Sequence, residues 1–168
     1  MIISDTSPLI HLSAIGKLPF LLELFKAIGI SNAVQEEAIT QGIKRGYSEA
    51  RMLEGYVDSN KIKVLAIENE DLPLKSFLHA GEYESILLAR TRREFLLMDE
   101  QKGRLVAEQN HIPVITTAGI LLLLLEQKVI NYDHYGKNLA KYAARGWLAS
   151  DIYQKYLQAG KKYAEELP

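Results

Sequence analysis

The chain has 168 residues, of which 48% are hydrophobic and 24% charged, a composition typical of an ordinary globular protein of one domain. Its formal net charge of −1 excludes a general electrostatic attraction to nucleic acid, so any nucleic-acid site must be local. The absence of cysteine excludes disulfides, thiolate zinc sites and thiol nucleophiles.

The N-terminal sequence carries no basic and apolar leader pattern. The longest apolar run, over 120–125, is far shorter than the ~20 residues that a membrane span needs. We therefore expect a cytoplasmic protein that has no membrane partner.

The first half of the chain alternates short apolar runs with helical patterns. Ile2-Ile3 predicts a buried strand, and Ser7-Pro8 predicts a helix capped by Ser7 that ends at Gly16. The other predicted elements of this half are helices over 19–26, 32–41 and 49–57, strands over 28–30 and 62–67, and a loop or weak helix over 68–80. Asn32 is expected to cap the helix over 32–41, and Gly42 to end it.

The second half continues this alternation. It predicts strands over 95–98 and 114–115, and helices over 82–92, 102–110, 119–127, 134–145 and 150–157, followed by a charged tail that frays. Strands alternating with helices favour an α/β fold with a mostly parallel sheet. No linker or repeat interrupts the chain, so we expect a single domain over 1–168 with a helical C-terminal part over 130–168.

Four acidic residues are expected at one end of this architecture. Asp5 follows the first strand and Asp99 follows the strand over 95–98, and ligands of parallel sheets bind beyond the carboxyl ends of strands. Glu37 and Glu82 share helix faces with apolar residues, whereas Glu36 is expected to face solvent.

Each acid also has a purely structural interpretation. Asp5 could cap a helix, and Asp99 could belong to a turn. Glu37 could be an acid at the edge of a buried face, and Glu82 a first-turn acid that is favourable to the helix dipole.

Carboxylates that are packed together repel one another and cannot all stay ionised without a cation. Mg²⁺ or Mn²⁺ binds such hard oxygen ligands and supplies phosphoryl chemistry. We therefore predict a metal-dependent phosphodiesterase in which Asp5, Glu37, Glu82 and Asp99 are both the catalytic residues and the metal ligands. Glu100 is expected to be a peripheral metal ligand.

Other polar residues are weaker candidates. Thr6, Thr116 and Thr117 could contact substrate or act as caps. Lys102 and Arg104 follow Asp99 and could bind phosphate or form a solvated helix face. A basic stripe of Lys137, Lys141 and Arg145 lies near several aromatic residues, a pattern that suits RNA or a protein interface. The four histidines have no metal-ligand spacing, so no role is assigned to them.

Five segments with a recognisable order and spacing cover nearly the whole chain. They are Asp5-Thr6-Ser7-Pro8-Leu9-Ile10, Val34-Gln35-Glu36-Glu37, Gly81-Glu82-Tyr83-Glu84-Ser85-Ile86, Leu97-Met98-Asp99-Glu100 and Thr116-Thr117-Ala118-Gly119-Ile120-Leu121. In this order they resemble the PIN-domain ribonucleases, in particular small prokaryotic PIN proteins related to the toxins of toxin–antitoxin pairs. One departure is that Glu82 stands where many PIN domains have Asp.

The resemblance implies a three-layer α/β/α fold and a Mg²⁺- or Mn²⁺-dependent endoribonuclease that acts on RNA. It also implies a homodimer and an antitoxin protein as a partner. Two alternatives remain open at this point. One is a non-catalytic PIN-fold module that binds RNA or protein, and the other is a metal-dependent nuclease that acts on DNA.

Overall fold

A computed structural model describes residues 1–68, 70–71 and 75–166 of the chain. Part of the predicted loop or weak helix over 68–80, including Pro73, therefore lies outside the described residues. The chain divides into two compact units, Met1–Thr116 and Thr117–Pro168. The single domain expected from the sequence stays a prediction.

The first unit is built on a sheet of five parallel strands in the order β3-β2-β1-β4-β5. The strands are β1 Ile2–Ser4, β2 Ile28–Ser31, β3 Ile62–Leu65, β4 Phe95–Leu97 and β5 Val114–Ile115. Ile2 of the central strand β1 pairs with Ile28 on one side and Phe95 on the other. Every residue of β1 and β2 is buried, as expected for inner strands of a parallel sheet.

The described residues form nine helices. They are α1 Thr6–Ala14, α2 Leu18–Phe25, α3 over 32–44, α4 Ser48–Asp58, α5 Ala80–Arg92, α6 Gln101–Gln109, α7 Thr117–Glu126, α8 Tyr132–Ala144 and α9 Ser150–Glu166. Helix α3 is α-helical over Asn32–Val34, π-helical over Gln35–Thr40 and α-helical again over Gln41–Lys44. The parallel sheet and its helices confirm the predicted α/β fold of the three-layer α/β/α class.

Helix α5 packs on the middle of the sheet. Its residues Ile86 and Ala89 share a buried apolar cluster with Ile3 of β1 and Leu96 of β4. The Ser85 hydroxyl also donates a hydrogen bond to the carbonyl of Ser4 at 3.4 Å. This packing fixes the first turn of α5 near the carboxyl ends of β1 and β4.

The second unit consists of α7, α8 and α9. Tyr135 of α8 is fully buried, and its hydroxyl donates to the carbonyl of Tyr156 in α9 at 2.6 Å. The hydroxyl of Tyr163 in α9 donates to the carbonyl of Glu126 at the end of α7 at 2.8 Å. These bonds explain why the charged tail, expected to fray after residue 157, is helical as far as Glu166.

Several predicted helix ends are wrong by a few residues. Helix α1 begins at Thr6 with Asp5 in the capping position, so Ser7 is not the cap. The Ser31 hydroxyl accepts from the amide of Val34 and replaces Asn32 as the cap of α3. Helix α3 also continues through Gly42 to Lys44, and Gly42 is buried where a Cβ would approach the Ala50 Cβ to 2.6 Å. The glycine is needed for close packing and not for ending the helix.

Among the described residues, no single helix has the length and apolar composition to cross a membrane. Helices α1 and α2 would pass that test only as a pair, and they are bent by 118° at the break between them.

Candidate active site

The strand order places the site at a crevice in the sheet. Strand β1 connects towards β2 and β3 on one side, whereas β4 and β5 lie on the other, so the direction of winding reverses between β1 and β4. Such a switch point opens a crevice beyond the carboxyl ends of the two strands. Asp5 directly follows β1, and its amide donates to the carbonyl of Leu97 at the end of β4 at 3.0 Å. Asp99 follows two residues later, so both acids lie at this crevice.

Asp5 is the most buried of the candidate acids, with 4% of its surface exposed. The pKa of its carboxyl group is raised to about 7, chiefly by burial and also by the charges of Glu82, Glu37 and Asp99, against the opposing effect of the hydrogen bond from the Thr6 amide. All four acids that the sequence predicted therefore interact electrostatically. A carboxyl group in this position resists ionisation unless a positive charge is nearby.

Glu37 reaches the crevice although it is exposed. The Thr6 hydroxyl donates to Glu37 Oε2 at 2.9 Å and so orients the carboxylate beside Asp5. Glu37 was expected on or next to the buried face of its helix, and it is exposed directly beside the buried Ala38, while Glu36 is exposed as expected. Both acids belong to the π-helical segment Gln35–Thr40, which winds more loosely than an α-helix and changes the phase of its side chains.

Glu82 has a structural role in addition to its place beside Asp5. It is 8% exposed, and its Oε2 accepts from the amide of His79 at 3.1 Å. The His79 side chain accepts in return from the backbone of Glu82, which completes a capping box at the start of α5. The first-turn interpretation of Glu82 and its proximity to Asp5 therefore hold together.

Two contacts near the acids were not predicted from the sequence. His11 Nδ1 lies 2.8 Å from Asp99 Oδ2, although these residues are 88 positions apart and no spacing pattern connects them. The amide of Ala33, at the start of α3, donates to Glu84 Oε2 at 2.9 Å and joins α3 to α5. His11 holds one candidate acid, and Glu84 holds the helix that carries another.

Gly81 leaves open the space between two of the acids. A Cβ at this position would lie 3.3 Å from Asp5 Oδ1, 3.3 Å from Glu37 Oε2 and 3.5 Å from Thr6 Oγ1. A set of carboxylate oxygens around a small open space fits Mg²⁺ or Mn²⁺ in its donor chemistry. Within the part of the chain that the structure describes, however, no group of three or more His, Asp or Glu side chains is arranged to hold a metal ion.

A cleft of about 480 Å³ opens beside the acids. Glu82, Glu100 and Lys102 line it together with His79 and Phe77. Glu100 is exposed at the capping position of α6, where its side chain accepts from the Lys102 amide at 3.5 Å. The structure thus brings Glu100 and Lys102 to the same cleft as Glu82.

The remaining candidates are placed as follows. Arg104 is half-buried on α6, and among the described residues its Nε is buried without a hydrogen-bond partner. Thr116 is half-buried directly after β5, and Thr117 is buried at the start of α7. The role of these three residues in substrate binding stays a prediction.

The basic stripe lies in the second unit. Lys137 Nζ pairs with Asp133 at 2.7 Å, and the Arg145 guanidinium lies 5.0 Å from the centre of the Trp147 ring. Lys141 is exposed on α8 between them. Two of the three cations thus have local partners within their own unit.

The family of this chain follows from its similarity to known proteins. The DUF3368 family model, described as a PIN domain, matches residues 1–162. No curated protein matches the chain.

Two solved structures are similar at low identity. A PilT N-terminus domain protein from the hyperthermophilic archaeon Sulfolobus solfataricus P2 is 21% identical with a TM-score of 0.47, over 70% of this chain and 87% of that one. A domain of a functionally unknown protein from Methanocaldococcus jannaschii DSM 2661 is 19% identical with a TM-score of 0.45, over 68% of this chain and 89% of that one. PIN domains are in general nucleases. Because the family model spans almost the whole sequence, the chain belongs to the PIN-domain family.

Proposed function

We propose that the chain is a metal-dependent endoribonuclease that hydrolyses RNA phosphodiester bonds at Asp5, Glu37, Glu82 and Asp99. The observation that carries this proposal is the environment of Asp5. Its carboxyl group is buried, and burial together with the charges of three other acids raises its pKa to about 7. An acid held in this way is costly to ionise, and a bound cation would remove that cost.

The four acids would hold Mg²⁺ or Mn²⁺, with Glu100 at the periphery. When bound, the metal supplies activation of water and stabilisation of charge at the phosphate. The other residues of the site act on the acids. Thr6 orients the Glu37 carboxylate through its hydroxyl group, and His11 restrains Asp99. Lys102 in the adjoining cleft offers a positive charge to a substrate phosphate.

The biological setting is proposed on the sequence resemblance alone. The chain would act in the cytoplasm as the toxin of a toxin–antitoxin pair, as a homodimer with an antitoxin protein as its partner. Growth arrest on expression that is relieved by Asp5→Asn would support a toxic nuclease. Arrest that persists in this variant would contradict it.

A cleavage assay tests the proposed reaction. Wild type, Asp5→Asn and Glu36→Gln are incubated with a panel of RNA and DNA oligonucleotides, with and without Mn²⁺. We expect wild type and Glu36→Gln to cleave RNA only when Mn²⁺ is present, and Asp5→Asn to be inactive. Glu36 is the matched control, because it neighbours Glu37 but bonds to Gln41 and not to Thr6.

The same assay separates the alternatives. Cleavage of DNA alone would indicate a DNA-directed nuclease, and binding of RNA without cleavage would indicate a non-catalytic module. Thermal unfolding adds an independent measurement, since a ligand of the folded state stabilises it by ~2.7 kcal/mol at 100 times its dissociation constant. The melting temperature of wild type should rise with Mn²⁺ and not with Na⁺ at equal ionic strength. Absence of both cleavage and this rise would contradict the proposal.

A further inference from the structure

Phe77 is the most exposed large apolar side chain among the described residues, with 64% of its surface accessible. It does not project from a featureless surface, because it lines the cleft of about 480 Å³ that contains Glu82, Glu100 and Lys102. Keeping a phenyl ring in water forgoes the free energy that burial would provide. An exposed ring inside a polar cleft beside the candidate acids therefore points to a ligand that covers it.

The walls of the cleft limit what that ligand can be. Two carboxylates and one ammonium group stand beside the ring, and an apolar protein segment that covered Phe77 would desolvate these charges without pairing them. A nucleotide can pair with the Lys102 ammonium group, and the cation of the proposed function would offset the repulsion between its phosphate and the two carboxylates. Its base presents a flat face to an aromatic ring, and its phosphate presents a negative charge to Lys102.

We propose that Phe77 forms a stacking subsite for one unpaired nucleobase, next to the position where the substrate phosphate meets the acids. This inference rests on the proposed nuclease function and adds a specificity residue to it. The base stacks on the ring, and Lys102, which lines the same cleft, holds a neighbouring phosphate. A base that remains paired in a duplex cannot offer its face to the ring, so the subsite selects for locally unpaired nucleic acid.

A binding experiment tests the subsite. The probe is a fluorescein-labelled, unstructured 15-nucleotide RNA, either alone or annealed to its complement, and its affinity is measured by fluorescence anisotropy. All variants carry Asp5→Asn to prevent cleavage. The set compares Phe77→Ala, Phe77→Leu and Phe77→Tyr with Phe95→Ala. Phe95 is the matched control, because it is 50% exposed but lies at the first residue of β4, at the opposite end of that strand from the acids.

We expect Phe77→Ala and Phe77→Leu to bind the single strand about 5- to 150-fold more weakly than the parent, the range found for stacked bases. Phe77→Tyr should keep the affinity because it keeps the ring, and Phe95→Ala should be unchanged. Affinity for the duplex should be the same in all variants. Circular dichroism checks that each variant is folded, which is expected for substitutions at exposed positions.

Equal single-strand affinity in the parent and Phe77→Ala would overturn the subsite, and so would full affinity in Phe77→Leu, since leucine offers apolar contact without a ring. The failure of the nuclease proposal gives a different result. In that case wild type with Asp5 intact would neither bind nor cleave the RNA in Mn²⁺, and the subsite would be rejected together with it. Cleavage by wild type with no effect of Phe77→Ala would reject the subsite alone.

Discussion

The Asp5 carboxyl group occupies a position in which its charge destabilises the fold. Asp5 follows β1, and only 4% of its surface is exposed. The negative charges of the three other candidate acids raise its pKa. Ionisation of a capping carboxylate at the surface stabilises the fold, whereas ionisation of the buried Asp5 destabilises it. Asp5 therefore links the stability of the metal-free protein to pH.

The metal-free protein should lose stability as the pH rises towards 7. The pKa of Asp5 is about 7 when folded and near 3.8 as a free group. The protonated Asp5 carboxyl group therefore contributes fully to the stability of the fold below pH 3.8. This contribution declines between pH 3.8 and pH 7 and is lost above pH 7. Ionised Asp5 then costs about 4 kcal/mol, and Asp5→Asn removes this cost. Urea unfolding in EDTA measures this effect. Between pH 4 and pH 8, the free energy of unfolding of Asp5→Asn should rise relative to that of wild type by about this amount.

Glu36→Gln is the control for this series, because Glu36 is exposed and should give a nearly constant difference from wild type. Parallel pH dependences of wild type and Asp5→Asn would contradict the assignment.

Substitution of Gly81 should change the cleavage activity without lowering the stability of the fold. Alanine there should hold or raise the free energy of unfolding, since it favours a helix by up to about 1 kcal/mol over glycine. Its Cβ would nevertheless press on Asp5 Oδ1 and Glu37 Oε2, each at 3.3 Å, and displace them. We expect RNA cleavage to fall about tenfold or more, because small misplacements of catalytic groups are costly.

The control for Gly81→Ala is Gly55→Ala on α4, where a Cβ meets nothing within 4 Å. It should raise the melting temperature and leave cleavage unchanged. Full cleavage activity in Gly81→Ala would show that the open space between the acids is not needed.

At the scale of elements, helix α3 decides where one of the candidate acids lies. Its π-helical segment Gln35–Thr40 begins within a turn of the Ser31 cap, and Glu84 of α5 fixes the amide of Ala33. These contacts anchor the start of the helix, and the looser π-helical turn carries Glu37 to Thr6. Irregular helical turns of this kind are frequent at functional sites.

The pairing of α8 and α9 should depend on Gly160. A Cβ at this position would come within 2.2 Å of the Tyr135 ring, which is buried and held by its hydrogen bond to the Tyr156 carbonyl. Because the ring cannot easily move, Gly160→Ala should lower the free energy of unfolding by about 1–3 kcal/mol despite the better helix propensity of alanine. Urea unfolding measures this change.

Gly136→Ala on α8 is the matched substitution, because a Cβ there has open space around it. It should be neutral or stabilising. If the two variants were equally stable, the close contact of Gly160 with Tyr135 would not be a constraint on the fold.

At the scale of the whole molecule, the local pattern was enough to predict the class of fold. Apolar runs such as Ile2-Ile3 and 95–98 predicted buried strands, and their alternation with helices favoured a parallel sheet. The acids Asp5 and Asp99 were found because a residue that directly follows a strand must lie at the carboxyl edge of the sheet. That both acids lie at this edge is therefore a property of strand direction, whereas their proximity depends on the pairing of β1 with β4.

Other features depended on contacts between distant segments. The contact of His11 with Asp99 and that of Thr6 with Glu37 join residues 88 and 31 positions apart, so no periodic pattern could show them. The π-helical turn of α3 was invisible to a rule that assumes 100° per residue. Gly42 was wrongly predicted to end a helix, because its packing against Ala50 depends on tertiary structure. The tail of α9 was wrongly predicted to fray, because the hydrogen bond of Tyr163 holds it in a helix.

Local free energies of capping and propensity amount to about 1 kcal/mol per residue, which predicts elements but not their ends. Burial and tertiary hydrogen bonds are as large or larger, and they act only once the chain has folded. The order of strands and acids along this chain thus specifies a parallel sheet with carboxylates at one edge. The protonation of Asp5, the reach of Glu37 and the exposure of Phe77 in a cleft follow from how the folded segments meet.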